Sequence, residues 1–449
     1  MTFRERLMLA CTGLLITACA IVFVRYGTYQ FLVRDFGWDD AWTQAIFSDQ
    51  KKLQHWKAPR RLPDDEIPVD WAGKYPFPEL APAPSQAQDS LLLQMEQQFH
   101  EQQSVFDAWT NRNFFSYMKF IEAMQMYRNI IGWNIAMIDP ANNVVQLPDG
   151  YLFGLSDALD QGQRIDATLR LADFCRSRGV HFIVCLAPWK VPRSSPYAGT
   201  LDFSNQNADA YLSGLRAHDI DCIDLRDNLA ETGLPYSKLF FRTDHHWTPD
   251  TARWAVTQLA KHLNNLYGYQ ADLSLLEPSR FREEKYPASF LGSFGSKVTL
   301  ARTAPEDFSL YFPESPTAFH ISIPSMALER RGDFSVLYDQ KQLDCDSLYD
   351  DYAYHAYAYG DRALISIHNE RRMDGKKLLL LHDSFGASAT PFLALCTESL
   401  DTIDPRYFLG SLQTYIEREH PDTVVLLYDA IEFSLDAHIP TPRSPFDLR

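Results

Sequence analysis

Leu378-Leu379-Leu380-Leu381-His382-Asp383-Ser384-Phe385-Gly386 is the stretch on which the fold turns. A short, unbroken apolar run is what a fully buried strand of a parallel sheet needs, because helices cover both of its faces. Polar residues and a glycine then lead into a helical pattern, so the stretch reads as strand, tight turn and helix. A serine on such a turn presents its hydroxyl beside backbone N–H groups that are able to hold an oxyanion. The same Asp-Ser pair also reads as an ordinary helix N-cap.

On either side the pattern repeats. Upstream, Gln163 to Arg178 carries a helical period closed by Gly179, His181 to Ala187 is an apolar strand, a helix covers about 207–218, and Asp221 to Leu225 and Leu239 to Phe241 are short strands. Thr248-Pro249-Asp250 opens a helix that runs to about Tyr267, with a capping threonine and proline in the first turn. Downstream follow a helix to about Cys396, a strand near 399–403, a helix at about 409–418 and the strand Thr423–Leu427. This alternation predicts an α/β fold, a parallel sheet flanked by helices. Residues 271–375 break the rhythm and read as an inserted, mainly β and loop region.

A second stretch supplies what the serine block lacks. In Thr243-Asp244-His245-His246-Trp247-Thr248-Pro249, Asp244 and His246 are two apart. On an extended turn both side chains point one way, so the carboxylate reaches the imidazole, the orienting half of a Ser-His-Asp triad. A metal reading competes, because Asp244, His245, His246, His382 and Asp383 all have ligand chemistry. It leaves Ser384 without a role, and no further ligand cluster stands upstream, so no metal and no cofactor is expected.

The 449 residues carry a net charge of −16 and 46% hydrophobic residues. That is ample for a large core, and a pI near 5.2 argues against a nucleic-acid partner. A mean hydropathy of −0.27 excludes a polytopic membrane protein but not one span. Leu7 to Val24 holds no charge, with Arg4 and Arg6 before it and Arg25 after it. It reads as an N-in signal-anchor over 1–26. The competing reading is a signal peptide cleaved at Ala18-Cys19-Ala20. Both place the rest of the chain outside the cytoplasm. A proline-rich linker over 27–88 and a helical stretch at 89–131 then lead into the α/β domain, counted from 89 to 449. The cysteines form no CxxC pair. Cys185 and Cys222, on neighbouring predicted strands, are the pair to test for a disulfide, with buried thiols the plain alternative.

Together these blocks resemble the DHHW protein family, named for the tetrapeptide at Asp244-His245-His246-Trp247, and the similar alginate O-acetyltransferase-like group of SGNH hydrolases. The likeness extends to Asp149-Gly150-Tyr151-Leu152-Phe153, Ala187-Pro188-Trp189-Lys190, Asp404-Pro405-Arg406-Tyr407 and Pro421-Asp422-Thr423-Val424-Val425. It implies an SGNH hydrolase-like fold in a permuted order, with Ser384 as nucleophile, His246 as base and Asp244 as its orienting acid. His245 between them leaves the choice of base open, although the spacing favours His246. Trp189, Lys190 and Trp247 are candidates for contact with a sugar substrate, each also readable as packing. The resemblance implies an extracytoplasmic O-acetyltransferase or acetylesterase of a cell-surface polysaccharide, served by a membrane-bound acyltransferase partner. The other reading is an inactive glycan-binding or assembly component of an envelope polysaccharide complex. The −16 charge makes an anionic glycan a poor substrate unless the cleft is locally basic.

Overall fold

The computed structural model describes residues 138–139, 144–147, 149–300, 302–344, 348–349, 353–373, 375–434 and 444–448. The expected anchor at 1–26, the linker at 27–88 and the helix at 89–131 lie outside them. Among the described residues no helix is long and apolar enough to cross a membrane.

Three short antiparallel strands, β1 (Ile138–Asp139), β2 (Val144–Gln146) and β3 (Leu152–Gly154), form a small sheet. The main sheet has eight strands. In spatial order they are β5 (Asp221–Asp224), β4 (His181–Ala187), β13 (Thr423–Asp429), β11 (Lys377–His382), β12 (Ser399–Ile403), β10 (Ile365–Asn369), β8 (Phe319–Ile323) and β9 (Leu328–Gly332). The first five run parallel and the last three join antiparallel. Successive strand residues face opposite sides, and every residue of β13 is buried, so both faces of the sheet centre are covered. The cover comes from α1 (Gly162–Ser177), α2 (Ser204–Arg216), α3 (Pro249–Tyr267), α5 (Phe385–Ala394) and α6 (Leu412–Glu419). Of these, α1 packs with α2 and α6, and α3 with α5.

The parallel strands stand where the apolar runs predicted them. The expected insertion over 271–375 does more than interrupt them. It contributes β8, β9 and β10 to the same sheet, the hairpin of β6 (Phe281–Phe290) with β7 (Glu306–Pro313), and the short helix α4 (Gly292–Val298). No strand forms at Leu239–Phe241. A single bridge, Phe240 to Trp247, pinches the chain into a loop instead. Thr248 sits at the N-cap of α3, but its hydroxyl donates to the Lys238 carbonyl at 2.7 Å rather than capping the helix. Cys185 and Cys222 are free thiols. Cys222 lies opposite Val184, so the register turns the two sulfurs to opposite faces.

Parallel registers align the strand ends. Leu427 lies opposite His382, and Asp429 opposite Ala187. The segments that leave β4 and β11, carrying Lys190 and Ser384, therefore emerge along one carboxyl edge, where open α/β sheets place their sites.

Candidate active site

Between Leu378 and Thr397, Ser384 is the one residue that is not buried. It caps α5 with helical backbone angles (φ −60°, ψ −20°) and with its side chain left free of the capping role. That role falls to Asp383, whose Oδ1 accepts the Phe385 N–H at 2.8 Å and whose Oδ2 accepts the Asp429 N–H at 2.6 Å. Gly386 is required by packing: a Cβ there would stand 2.2 Å from the His382 ring.

The loop from Phe241 to Trp247 brings the second block to this serine. His246 Nε2 lies 2.7 Å from Ser384 Oγ, and its Nδ1 lies 2.6 Å from Asp244 Oδ1. A carboxylate only accepts, so Nδ1 carries the proton and Nε2 presents a lone pair to the hydroxyl. Asp244 also accepts the His246 backbone N–H at 2.9 Å and, through Oδ2, the Ser293 N–H at 2.6 Å. Burial pushes the Asp244 carboxyl up, but His245, His246 and these hydrogen bonds outweigh it, and the group is held well below the usual carboxylate range. Asp244 and His246 are fully enclosed (0% and 1% exposed), whereas Ser384 is half-buried. The Tyr354 ring stacks on His246 at 3.8 Å and 14°, which fixes the imidazole plane.

His245 turns elsewhere. Its Nδ1 meets Ser293 Oγ at 2.8 Å and stands 3.7 Å from Asp244 Oδ1. Burial and the adjacent His246 push its pKa down to about 3, so it is neutral in solution near pH 7. The geometry therefore gives the serine contact to His246.

Trp189, Lys190 and Trp247, expected on the substrate side, are almost wholly buried (2%, 5% and 0% exposed), with Lys190 at the wall of a cavity. Trp189 donates to Asp202 Oδ2 at 2.8 Å, and Trp247 to Ser388 Oγ at 2.8 Å. Ser388 Oγ also meets Tyr354 Oη at 2.8 Å, so Trp247 braces the ring that stacks on His246. Lys190 Nζ donates to the carbonyls of Phe241 at 2.8 Å and Asp244 at 2.6 Å. The indoles are buried because each N–H finds a buried acceptor, and a buried tryptophan needs one.

Sequence reading missed the residues that the insertion supplies: Ser293, Glu306 and Tyr354. Gly292 offered a signal. It has a positive φ (+70°), and a Cβ would lie 2.5 Å from the Thr243 carbonyl oxygen, so only glycine lets α4 approach the loop. Gly295 N–H then donates to that carbonyl at 2.7 Å.

Among the described residues, Asp244, His245 and His246 are the one triple whose ligand atoms lie within 4.8 Å of one another. Both Asp244 oxygens, both His246 nitrogens and His245 Nδ1 are already hydrogen-bonded within the site. His382 and Asp383 do not join them. His382 Nδ1 donates to the Asp383 carbonyl at 2.6 Å. Asp383 faces a buried acidic group with Asp429 and Glu432, beside Arg406 and Asp404. Burial, then Asp429 and Glu432, push the Asp383 carboxyl well up. Burial also lifts Glu432 to about 7 against the pull of Arg406.

A half-buried serine backed by an enclosed His-Asp pair, at the carboxyl edge of this sheet, is what an SGNH hydrolase-like α/β fold is expected to present. The comparisons agree. Residues 234–403 match the family described as DHHW protein, and residues 148–309 match the family described as SGNH hydrolase-like domain, acetyltransferase AlgX. A curated relative, "Probable alginate O-acetylase AlgJ" of Pseudomonas fluorescens, is 27% identical over 185 residues, 39% of this chain and 41% of that protein. The match thus spans about two-fifths of that relative's length. The structure of Bacillus cereus PatB1 with a sulfonyl adduct superposes with a TM-score of 0.54 at 17% identity, covering 68% of this chain and 99% of that one. A DHHW family protein from Eubacterium siraeum gives 0.50 at 16%, covering 65% and 92%. At these identities the two structures speak for the fold.

Proposed function

We propose that this chain is an extracytoplasmic, serine-dependent acyl-ester enzyme, an O-acetyltransferase or acetylesterase of a cell-surface polysaccharide that works through an acyl-serine. The unbroken hydrogen-bonded line Asp244–His246–Ser384, ending on a partly exposed hydroxyl, carries this reading. The likeness to acetyltransferase AlgX and to an alginate O-acetylase supports the acyl group and the polysaccharide class.

His246 Nε2 takes the proton as Ser384 Oγ attacks an ester carbonyl, and Asp244 stabilises the imidazolium that results. The N–H groups of Phe385, Gly386 and Ala387 are taken by Asp383 and by the Ser384 carbonyl. The Ser384 N–H, at the N-cap of α5, is then the backbone donor assigned to the developing oxyanion. The imidazolium returns its proton to the departing alcohol oxygen, leaving the acyl-serine. A sugar hydroxyl or a water, deprotonated in turn by His246, carries the acyl group away. The uncharged run Leu7 to Val24 is read as the anchor that keeps this domain at the outer membrane face, near a membrane-bound acyltransferase partner that supplies acyl groups.

The test is fluorophosphonate labelling and turnover of an activated acetyl ester by the full chain, with and without oligosaccharide acceptors. Labelling and turnover are expected for the wild type, with loss of both by about three orders of magnitude or more in Ser384→Ala. Labelling no greater than that of Ser384→Ala overturns the enzyme reading in favour of a glycan-binding or assembly component.

A further inference from the structure

The loop that carries Asp244 is not a strand of any sheet, although the Leu152 N–H of β3 donates to its Arg242 carbonyl at 2.9 Å. Its backbone is instead gripped by two ionic side chains from distant parts of the chain. On one side, Lys190 Nζ donates to the carbonyls of Phe241 at 2.8 Å, Asp244 at 2.6 Å and Arg242 at 3.4 Å. Three acceptors match the three donors of an ammonium, where a neutral amine would offer two. On the other side, Glu306 Oε2 accepts the Arg242 N–H at 2.9 Å, and Oε1 accepts the Thr243 N–H at 2.6 Å and the Thr243 hydroxyl. Lys190 is 5% exposed, so these bonds are made out of water, where their loss is felt most.

We propose that Lys190, paired with Glu306, is a positioning residue of this site: its ammonium holds the backbone of Phe241–Asp244 so that the Asp244 carboxylate meets His246 Nδ1 in line. The proposal rests on the acyl-transfer reading above. Lys190 does not touch the reacting atoms and acts through the loop.

The hold depends on a proton. The groups facing Lys190 are Glu306 from β7, Asp244, Arg242 and His245 from the loop, and Asp149 and Tyr151 from the turn before β3. From α4 comes the Phe294 ring, 5.7 Å from Lys190 Nζ, and Lys297 of the same helix lies over that ring. Tyr197 and Tyr236 share with Lys190 the wall of a cavity of about 290 Å³. Burial brings the ammonium down to about 7, against the pull of Glu306 and Asp244. Burial pushes Tyr151 up to about 12 and Tyr236 higher still, so neither ionises in the neutral range. As pH rises through about 7, the ammonium loses its proton, one of its three bonds goes, and the loop loosens.

The experiment measures kcat/KM for an activated acetyl ester from about pH 6 to about pH 9, with the far-downfield Nδ1–H proton resonance of His246 as a second readout. Wild type should show a falling limb near pH 7. In Lys190→Met, kcat should drop roughly 10- to 100-fold with KM little changed, the limb should vanish and the resonance should move or broaden. In Glu306→Gln, the limb should move to lower pH, because a neighbouring negative charge no longer holds the proton on Lys190. A wild-type limb left in place by both variants, or a Lys190→Met protein with unchanged kcat and resonance, overturns the proposal. Should Lys190→Met fail to fold, Glu306→Gln decides alone. Should the wild type show no Ser384-dependent turnover, the acyl-transfer reading falls, and the resonance in Glu306→Gln still decides whether the pair positions the dyad.

Discussion

His245 and His246 are adjacent, identical in chemistry and only 3.8 Å apart ring to ring, yet their surroundings divide them. Asp244, Ser384 and the Tyr354 face enclose His246, whereas His245 leans on Ser293 and keeps a quarter of its side chain in solvent. His246→Ala should therefore lose about a thousandfold or more in turnover, while His245→Gln should stay within about tenfold of wild type, both read by acetyl-ester kinetics. Lys190 makes a different point about single residues. Its pKa is lower in the folded protein than in the unfolded chain, so between about 7 and the ordinary lysine value the unfolded state binds more protons. This one group then favours folding increasingly as pH rises across that window. The hold on the loop fades at the low end of that window, as pH passes about 7, so there its effects on stability and on activity run in opposite directions.

The elements of the site differ in how well the chain announces them. Strand β11 and helix α5 were legible because an apolar run and a helical period surround Ser384, and burial on both faces demands that pattern. Leu239–Phe241, at the entry to the bridged loop, was read as a strand, since a short apolar triplet looks the same whether it pairs along a ladder or at one point. Helix α4 was not legible at all. Seven residues carry too little periodicity, and the contacts that give it meaning, Ser293 to Asp244 and Gly295 to Thr243, lie about fifty residues away in sequence. The Asp-His and Ser motifs were found because their chemistry is local, whereas the partners that orient them are spread through the insertion. Two glycines test the packing of these elements. Gly386→Ala should destabilise by about 3 kcal/mol, since the new methyl meets the buried His382 ring, and a denaturant melt reads this directly. Gly292→Ala should lower turnover as well, because α4 backs off the loop and the Ser293 N–H leaves the Asp244 carboxylate.

Across the whole molecule, the excess of acid is not only a surface property. Asp383, Asp404, Asp429 and Glu432 are buried behind the serine turn, and burial lifts all four above their ordinary range. For Glu432, raised to about 7, stability is fully present below the unfolded carboxyl value and is lost as pH climbs through the folded one. Thermal melts of wild type and Glu432→Gln should therefore diverge between about pH 5 and about pH 8, the wild type losing on the order of 2 kcal/mol relative to the variant. The strand order carries a consequence for the birth of the molecule. Strand β13, the last of the described strands in chain order, is the one wedged between β4 and β11. Until the ribosome passes Asp429, β4 and β11 each present a long apolar edge with no neighbour, and the segments bearing Lys190 and Ser384 have nothing to align them. Closure then requires pairing residues about 240 positions apart, a slow step with much entropy to overcome. The main sheet therefore closes only after β13 has been made, however early β4 and β11 leave the ribosome.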